Sequence, residues 1–590
     1  MNTPRCRLAD LIRQALQYRS ALVRGNLAAL AATLLTVAIP LFIPMLVDEL
    51  LLKKSDTLTG WVAKHIAPMS VEGYVFFFLA LVVTLRGVGF LLNVYQVRTF
   101  LGVSKDIAYR LRRDATEHLQ KVSLKEYETS SSGAVASRLV TDIATVDTFI
   151  GTTVSKFLIS ILTLLFTAVI LLMIDWKLAL FILLTNPVVV YFTARLARNV
   201  GRLKREENRA VEAFQSALTD TLELFQQIRA ANKEEYFFGR ILTQARALRE
   251  RSVAFGYRSD RAMRLSFLVF LTGYELFRSV SILAVAYGGL SVGLMLAVFG
   301  YLWIMMTPTQ DVINFQYALA SARTACKRID AIFAMEREPD VPPERATDPF
   351  AGKTAVSVAT ASLSFSYRKG REILKNITLE IPAASTVAIV GPSGSGKTTL
   401  ANLLVGFYPV EEGEIRYDGV SHHHTPLPTI RRHVHLILQH PKLFNDTMLF
   451  NLTLGRDLPE EKVREAMRIA QLEDVLATLE KGLETVVGRD GVRLSGGQRQ
   501  RVAIARMILL DPEVVIFDES TSALDVHTEV RLFEALEAYL KPKTVITIAH
   551  RLSTIEKAER IFVLEDGRLV DQGSPEELMR RDEGYFARMI

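Results

Sequence analysis

The 590-residue sequence predicts an α-helical membrane domain followed by an α/β domain of the P-loop type. Six apolar stretches precede residue 340, and after it the pattern changes to short strands and helices around "GPSGSGKTT". Hydrophobic residues make up 49% of a chain in which 23% of residues are charged, so apolar and polar parts are joined on one polypeptide. We expect a membrane domain over 1–335, a Pro-rich linker over 336–354 and an α/β domain over 355–590.

Six stretches are each near the length of about 20 residues that a helix needs to cross a membrane. They are 27–47, 74–96, 154–174, 178–197, 265–287 and 292–312. Basic residues cluster beside them, which places the N-terminus and the C-terminal domain in the cytoplasm by the positive-inside rule. We therefore expect an integral protein of the bacterial inner membrane. The net charge of +7 is then a topology signal, and no nucleic-acid partner is expected.

The segments 97–153 and 198–264 are long, basic and poor in Gly and Pro, and their apolar residues recur at helical spacing. We expect the membrane helices to continue through them into the cytoplasm rather than to join a separate helical domain. Short turns at the tips are predicted at 129–135 and 219–225. Ahead of the first span, "LADLIRQALQY" has the pattern of an amphipathic helix lying along the membrane interface, although a solvated lead-in fits equally well.

"STVAIV" predicts a strand that leads into a complete phosphate loop, and "TLANLLVG" continues as a helix. In this arrangement backbone N–H groups face the phosphates of ATP or GTP, Lys397 reaches the β and γ oxygens, and the hydroxyl of Thr398 binds Mg²⁺. The predicted nucleotide contacts in this loop are Gly391, Pro392, Ser393, Gly394, Ser395, Gly396, Lys397, Thr398 and Thr399.

Two further predicted strands end in candidate catalytic groups. "EVVIFDES" ends with Asp518, which would hold Mg²⁺, and Glu519, which would polarise the attacking water. "TVITIAH" ends at His550, where a side chain at the carboxyl end of an α/β strand lies near the ligand crevice. Taken alone, a histidine in such a position is more often structural.

The ordered motifs resemble those of the ATP-binding cassette (ABC) ATPases. They are Tyr367, the phosphate loop, Gln439, "LSGGQ" at 494–498, "VVIFDE" at 514–519, "SALD" at 522–525 and His550. The resemblance implies that Tyr367 stacks on adenine, that Gln439 senses Mg²⁺ and the attacking water, and that Asp525 communicates across a dimer. It also implies that Glu519 activates water and that His550 contacts the γ-phosphate.

The membrane half resembles the exporter branch of this family, so the whole chain resembles a half-size exporter. In "RLSGGQRQR", the serine hydroxyl, the glycine N–H groups and the N-terminus of the following helix form a second anion site. This site has no phosphate loop of its own beside it. In the family, such a site caps the γ-phosphate held by the opposite cassette, which implies that ATP is also contacted by Ser495, Gly496, Gly497 and Gln498. A single cassette must therefore pair, and a homodimer is the simplest reading, with a heterodimer left open.

The sequence departs from the family in two places that concern coupling rather than hydrolysis. The loop before the signature reads "GRDG", with Arg489 and Asp490 where a Glu is usual, and "FNL" at 450–452 replaces an acidic "ENI". We expect hydrolysis to be retained and the signal between cassette and membrane to be either rewired or shifted to Asp490.

The transported substrate is expected to be amphipathic or hydrophobic: a lipid, drug, peptide or small metabolite. Charged residues within spans usually face a cavity, so Arg86, Glu275 and Arg278 are candidate substrate contacts. Glu275 and Arg278 are three residues apart and are favoured to neutralise each other, while Arg86 would meet an anionic headgroup or snorkel to the interface. An ATP-gated channel or regulator on the same scaffold is the alternative function, and the intact Glu519 and Ser495 argue against it.

Overall fold

The computed structural model describes residues 8–53, 58–66, 68–130, 132–367, 370–488, 491–518, 525–548, 555 and 557–581, except the side chains of 8, 9, 12, 58, 182–199, 313 and 526. The chain divides into two compact units. The first comprises Met1–Leu119 and Gly133–Ala334, and the second comprises Gln120–Ser132 and Met335–Ile590. A short piece of the first predicted cytoplasmic segment therefore belongs to the second unit.

The first unit is built almost entirely of helices. Its α-helices are α1 (Leu8–Leu16), α2 (Arg19–Ala38), α3 (Phe42–Pro44), α4 (Leu58–His65), α5 (Val71–Leu119), and, after α6 (Leu124–Thr129) of the second unit, α7 (Ser132–Ser137), α8 (Ile143–Thr148), α9 (Val154–Ile174), α10 (Trp176–Glu223), α11 (Phe225–Ala230), α12 (Glu234–Tyr287) and α13 (Val292–Phe333). Short π-helical stretches lie at Met45–Leu51, Arg138–Asp142 and Phe149–Thr153.

Among the described residues, five helical segments are long and apolar enough to cross a membrane, judged by length and composition. They are Arg19–Leu51, Val71–Leu119, Ser132–Ile174, Glu234–Tyr287 and Val292–Phe333. The remaining predicted span, 178–197, falls within α10, where the side chains of 182–199 lie outside the description. The predicted helical transmembrane domain is confirmed.

The predicted continuation of membrane helices into long polar extensions is confirmed. α5, α10 and α12 run for 49, 48 and 54 residues without a break. The turn predicted at 219–225 lies later in the chain. α10 continues to Glu223, and the chain reverses direction only after α11. Asn232, with φ of 51°, supplies the left-handed residue for that reversal.

The first span changes its helical form near its C-terminal end. A 3₁₀ turn at Ile39–Leu41 contains Pro40, whose missing N–H ends the regular α-helix. In the following π-helix the buried Asp48 accepts hydrogen bonds from the backbone N–H of Gly293, at 2.9 Å, and from Ser291, the N-cap of α13. A Cβ on Gly293 would lie 2.4 Å from the Asp48 carboxylate, so only glycine fits there.

Polar side chains also join the spans in the interior of the bundle. Gln96 of α5 donates to Ser155 of α9 at 2.8 Å, and Ser160 of α9 donates to Asp311 of α13 at 3.0 Å. Both serines are 2% exposed. Such interhelical hydrogen bonds hold membrane helices together where burial of apolar surface supplies little drive.

The second unit contains the strands and the remaining helices. Its strands are β1 (Val358–Phe365), β2 (Leu374–Ile381), β3 (Thr386–Val390), β4 (Glu412–Tyr417), β5 (Val420–Ser421), β6 (Val434–Ile437), β7 (Asp446–Thr447), β8 (Val486–Val487), β9 (Val514–Asp518), β10 (Thr544–Ile548), β11 (Arg560–Glu565) and β12 (Arg568–Gly573). Its further helices are α14 (Lys397–Leu404), α15 (Leu427–His433), α16 (Met448–Thr453), α17 (Glu460–Ile469), α18 (Glu473–Thr478), α19 (Gly496–Leu510), α20 (Val526–Leu540) and α21 (Pro575–Met579).

A six-stranded sheet of order β12-β11-β3-β10-β9-β6 forms the centre of this unit. Its strands from β11 to β6 pair in parallel, and β12 is antiparallel at one edge. An antiparallel sheet of order β2-β1-β4-β5 packs against it. The apolar core between the sheets includes Ile377, Ile389, Leu400 and Ile516, each with no exposed surface. This arrangement confirms the predicted α/β domain.

Candidate functional site

The candidate site is assembled at one edge of the six-stranded sheet. The phosphate loop follows β3, Asp518 is the last residue of β9, and Gln439 lies two residues after β6. β10, which ends at Ile548, lies between β3 and β9. Because these strands are parallel, their carboxyl ends share one edge, where ligands of open α/β sheets bind.

The phosphate loop depends on glycines at its two ends. Gly391 has φ of +150°, and a Cβ there would lie 2.0 Å from the carbonyl oxygen of Leu564. Gly396 has φ of +100°, and a Cβ there would lie 2.6 Å from Leu374. The chain therefore turns within space that no side chain fits. α14 begins directly afterwards at Lys397, so the loop also presents a helix N-terminus to an anion.

Two side chains of the loop indicate a phosphate ligand. Lys397 is 6% exposed, and its ammonium donates to the carbonyl oxygens of Gly391 and Pro392, each at 2.9 Å. The hydroxyl of Ser395 is buried and has no hydrogen-bond partner among the described residues. Buried polar groups are nearly always satisfied in native proteins. A phosphate oxygen held by the loop would satisfy Ser395, so the residues present fit a nucleotide.

Tyr367, the predicted adenine contact, lies beside the phosphate-loop helix. Its hydroxyl donates to Oγ1 of Thr399 at 3.2 Å. Its ring packs edge-on against Phe365 and Tyr408, with centroid distances of 5.0 Å and 5.1 Å. The structure thus brings Tyr367 and the phosphate loop together.

The predicted Mg²⁺ ligands are all oxygen donors of the type that this ion prefers. Thr398 is exposed at the first turn of α14, and Asp518 is 6% exposed at the end of its strand. Gln439 is exposed at the same sheet edge. No cluster of three or more His, Cys, Asp or Glu occurs in the described part of the chain. The hydroxyl, amide and carboxylate at this edge fit a Mg²⁺ that accompanies the nucleotide.

The signature segment forms the N-terminus of α19. Ser495 is the N-cap, and its hydroxyl accepts from the N–H of Gln498 at 3.2 Å while the Gln498 side chain accepts from the N–H of Ser495 at 2.7 Å. This reciprocal capping box leaves the N–H groups of Gly496 and Gly497 at the first two helical positions. Arg501, from the same motif, is mostly buried and pairs with Asp474 at 3.0 Å. The segment therefore has the local form of an anion site.

Several predicted functional residues lie outside the described part of the chain. These are Glu519 and His550, with Arg489 and Asp490 of the unusual "GRDG" loop. Asp525 is described: it is the N-cap of α20, accepting from the N–H of Thr528 at 3.0 Å. Hydrogen bonding with the side chain of Thr528, and then with its N–H, holds the pKa of the Asp525 carboxyl below its ordinary value.

The predicted substrate contacts do not form one cluster in the described structure. Glu275 and Arg278 pair with each other on α12 at 2.6 Å, the mutual neutralisation favoured from the sequence. Arg86 is exposed on α5. Tyr301, with no exposed surface, packs in the core of the helices and donates to the carbonyl of Val37 at 2.7 Å. Tyr301 therefore has a structural role. The structure assigns no role in substrate binding to Glu275, Arg278 or Arg86.

Sequence reasoning missed three residues that organise the cassette. Asn451, fully buried, exchanges hydrogen bonds of 2.9 Å with both the N–H and the carbonyl of Phe444, and accepts from Arg506 at 3.0 Å. Gln500 contacts the backbone of Gln439. Tyr408 packs against Tyr367. The signal for Asn451 was its place in "FNL", where the family keeps an Asn.

The segment around α6 is anchored to the cassette within the second unit. The N–H of Ser123 donates to the carbonyl of Glu336 at 3.0 Å, and that of Glu338 donates to Lys121 at 2.8 Å. Lys125 pairs with Glu411 at 3.5 Å. One turn on from Lys125, Glu128 interacts with the hydroxyl of Tyr408 and raises its pKa. A chain of contacts thus runs from Glu128 through Tyr408 and Tyr367 to Thr399.

Comparison with known proteins matches two family models to two separate parts of the chain. The family model for the ABC transporter transmembrane region matches residues 25–309, and the ABC transporter model matches 374–522. An ATP-dependent lipid A-core flippase of Burkholderia pseudomallei (strain 1710b) is 31% identical over 572 residues, covering 96% of this chain and 92% of that protein. A candidate multidrug export ATP-binding/permease protein of Bacillus subtilis (strain 168), YgaD, is 32% identical over 496 residues, covering 81% and 82%.

A solved structure extends the similarity to the whole fold. The structure of a bacterial Atm1-family ABC exporter with ATP bound superposes with a TM-score of 0.79 at 27% identity, covering 99% of this chain and 98% of that chain. The extent of these matches fits a transmembrane domain and an ATP-hydrolysing cassette joined on one polypeptide. The chain is therefore a half-size exporter of the ABC transporter family, which couples ATP hydrolysis to export or flipping.

Proposed function

We propose that this exporter moves an amphipathic, lipid-like substrate from the inner leaflet or cytoplasm of a bacterial inner membrane. Residues 1–335 form the passage, and residues 355–590 hydrolyse ATP. The name of the Burkholderia relative, a lipid A-core flippase, supports a lipid-linked substrate. The name of the Bacillus relative, which concerns multidrug export, keeps other amphiphiles within the proposal.

ATP is hydrolysed, in this proposal, at sites shared between two copies of the chain. The observation that carries this is the capping of α19: Ser495 begins a helix whose first N–H groups, at Gly496 and Gly497, are available to a phosphate. The same chain already has a fitted phosphate loop at 391–399. In a dimer, ATP held by the phosphate loop of a second copy would occupy the anion site at the start of α19. A homodimer is therefore the simplest assembly.

The residues of the site divide the chemistry among themselves. Lys397 and the loop N–H groups hold the β and γ phosphates, Tyr367 stacks on the adenine, and Asp525 lies toward the partner cassette. Thr398, Gln439 and Asp518 would hold Mg²⁺, which would supply neutralisation of the phosphate charge. Glu519 takes a proton from the attacking water, and His550 donates to the γ-phosphate.

ATP also drives the conformational cycle. Because ATP contacts two cassettes only when they are closed, its differential affinity favours closure. Loss of phosphate removes that preference and lets the cassettes separate. The helical extensions would transmit closure to the spans as rigid bodies.

The test is the Glu519→Gln variant in lipid nanodiscs, with wild-type protein beside it. The variant is expected to bind ATP, to trap a closed dimer and to lose at least about 100-fold in turnover, the usual contribution of a general base. Normal hydrolysis by the variant would remove the assigned role of Glu519. For the substrate, wild-type ATPase activity is measured across a panel of lipids and drug-like amphiphiles, and no stimulation by any of them would contradict the substrate class.

A further inference from the structure

A cleft lined by arginine and tyrosine side chains lies between the start of the first span and the end of the second. It has a volume of about 320 Å³. It is lined by Tyr18, Ala21, Tyr95, Arg98, Thr99, Gly102, Val103 and Asp106. A second hollow, of about 640 Å³, is lined by Arg13, Leu16, Gln17, Arg19 and Ser20. These residues form the junction of α1 and α2, residues 13–20, which we call the elbow. The first volume is at the lower end of the range in which proteins bind small ligands.

The position of the cleft is at a membrane boundary. Tyr18 directly precedes α2, which opens the first span, and Tyr95 lies at the end of the apolar stretch 74–96. Tyrosines are enriched at this level, where a ring contacts both apolar chains and headgroups. The contents of the cleft are therefore expected to be at the depth of lipid headgroups.

The helix before the elbow fixes one side of this region. α1 is amphipathic, and its Leu11 is 3% exposed because it packs in a core with Val103 and Ile107 of α5. Leu16, at the end of α1, is 48% exposed. α1 is thus held against α5 while an apolar side chain is presented outward. This geometry favours the interfacial helix over the solvated lead-in, the two alternatives that the sequence left open.

The arginines at the elbow have no anionic partner among the residues that the structure describes. Arg13, Arg19 and Arg98 are exposed, and the described structure gives none of them an ion pair. Elsewhere on the long helices such pairs are frequent, as for Arg251 with Glu206 at 3.0 Å. Each of these unpartnered cations is therefore free to bind an anion from outside the protein.

The remaining charged groups near the cleft do not cancel the positive charge of Arg13, Arg19 and Arg98. The guanidinium of Arg110 donates to Gln17 at 2.9 Å and lies over the ring of Tyr18 at 5.5 Å. Among the described residues that line the cleft, Asp106 is the one carboxylate. It lies eight residues beyond Arg98 on α5, about 12 Å further along the helix axis at the usual rise per residue. The end nearest the membrane is therefore positive.

We propose that this cleft binds the headgroup of an anionic phospholipid from the surrounding leaflet. Arg98 contacts the headgroup phosphate, Tyr18 and Tyr95 lie beside the glycerol, and the acyl chains follow the outward apolar surface near Leu16. The lipid is a resident ligand that fixes the elbow to α5. This lipid is not the exported substrate, so its binding is tested independently of the proposed transport function.

The experiment measures lipid retention on the full-length protein, purified without ATP. Protein is exchanged into nanodiscs of phosphatidylcholine that contain phosphatidylglycerol, extracted, and examined by native mass spectrometry for bound lipid. Wild-type protein is expected to retain phosphatidylglycerol in preference to phosphatidylcholine. Arg98→Gln is expected to weaken that retention about fivefold, the effect of one basic group at an anionic membrane surface.

Matched variants make the result specific. Arg98→Lys keeps the charge and is expected to keep most of the retention. Arg249→Gln, which removes an exposed arginine of α12 that lines neither hollow, is expected to change nothing. Inorganic phosphate added during extraction is not expected to displace the lipid; displacement would assign the cleft to soluble anions instead. Equal retention by wild type and Arg98→Gln, or an equal loss with Arg249→Gln, would overturn the proposal.

Discussion

The side-chain amide of Gln500 donates to the main-chain carbonyl oxygen of Gln439 at 3.3 Å. Gln500 is on α19, about one turn after the signature Ser495, and is 1% exposed. Its Oε1 atom is buried without a hydrogen-bond partner in the described structure. The helix that begins at the signature is thus joined directly to the segment that carries a proposed Mg²⁺ ligand. Movement of α19 would therefore displace the backbone at Gln439.

Gln500→Ala should lower the rate of ATP hydrolysis with little change in the KM for ATP. The variant loses a hydrogen bond that orients the Gln439 segment, worth about 1 kcal/mol, which corresponds to about fivefold in kcat. Steady-state kinetics on the reconstituted protein measures both constants. Gln572→Ala, an exposed glutamine of β12, is the control. A raised KM with normal kcat would show that Gln500 acts on nucleotide binding instead.

Ser395→Ala should weaken ATP binding without destabilising the nucleotide-free protein. The hydroxyl is buried and unsatisfied in the described structure, so its removal takes away no internal hydrogen bond. A hydrogen bond to a charged phosphate is worth about 1.5–3 kcal/mol, so we expect ATP affinity to fall about tenfold or more. Thermal unfolding without nucleotide and titration with labelled ATP measure the two effects. A large fall in the unfolding temperature with unchanged affinity would contradict the assignment.

Tyr408→Phe should uncouple substrate stimulation from basal hydrolysis. Burial, then interaction with Glu128 and contact with Tyr367, all raise the pKa of Tyr408, so its hydroxyl remains a donor at neutral pH. Removing it breaks the contact between the α6 segment and the residue proposed to stack on adenine. Basal ATPase activity should persist while stimulation by an amphiphile falls.

The matched control for Tyr408 is Tyr539→Phe. Tyr539 also donates to a carboxylate, that of Asp511 at 3.1 Å, but it lies on α20 and contacts no part of the α6 segment in the described structure. Both activities of this variant should be normal. Equal stimulation of the Tyr408 and Tyr539 variants would show that the path through Glu128 carries no signal.

Acidification should destabilise the cassette through His435. Burial, and then the positive charges of Arg506 and Arg456, lower the pKa of His435 to about 4. The unfolded chain binds the proton near pH 6.5, so stability is full above that value and falls between about pH 6.5 and 4, by up to about 1.4 kcal/mol per pH unit. His422, whose pKa is also lowered to about 4, adds to the same slope.

The pH effect is checked by the unfolding temperature of the full-length protein across this range. His435→Gln removes one titrating group and should flatten the dependence. His424→Gln, a change at an exposed histidine, should leave the slope as it is in the wild type. An unchanged slope in His435→Gln would show that another group is responsible.

The sequence predicted the parts of the fold that depend on local pattern. The unbroken helical spacing through 97–119 and 198–223 was sufficient to predict α5 and α10 as single helices leaving the membrane. The strand–loop–helix order around Gly391 was likewise sufficient for the phosphate loop, because the glycines and Lys397 must follow one another in the chain.

Contacts between distant segments were beyond such reasoning. Gln500 and Gln439 are 61 residues apart, and nothing in either local pattern marks their contact. Nothing in the sequence around Tyr408 indicates its interaction with Glu128 of the α6 segment, because the two residues are far apart in the chain. The placement of 120–132 with the cassette could not be read from helical spacing, because a short helix between two turns has the same pattern in either unit.

The most direct test of the shared ATP site uses dimers assembled from two differently tagged chains, both carrying Glu519→Gln so that bound ATP is trapped. Lys397→Ala and Ser495→Arg are placed either on the same chain or on opposite chains. If each site combines one chain's phosphate loop with the other's signature, opposite placement leaves one intact site and traps ATP. Same-chain placement then damages both sites and traps none. Equal trapping in the two arrangements would contradict the account.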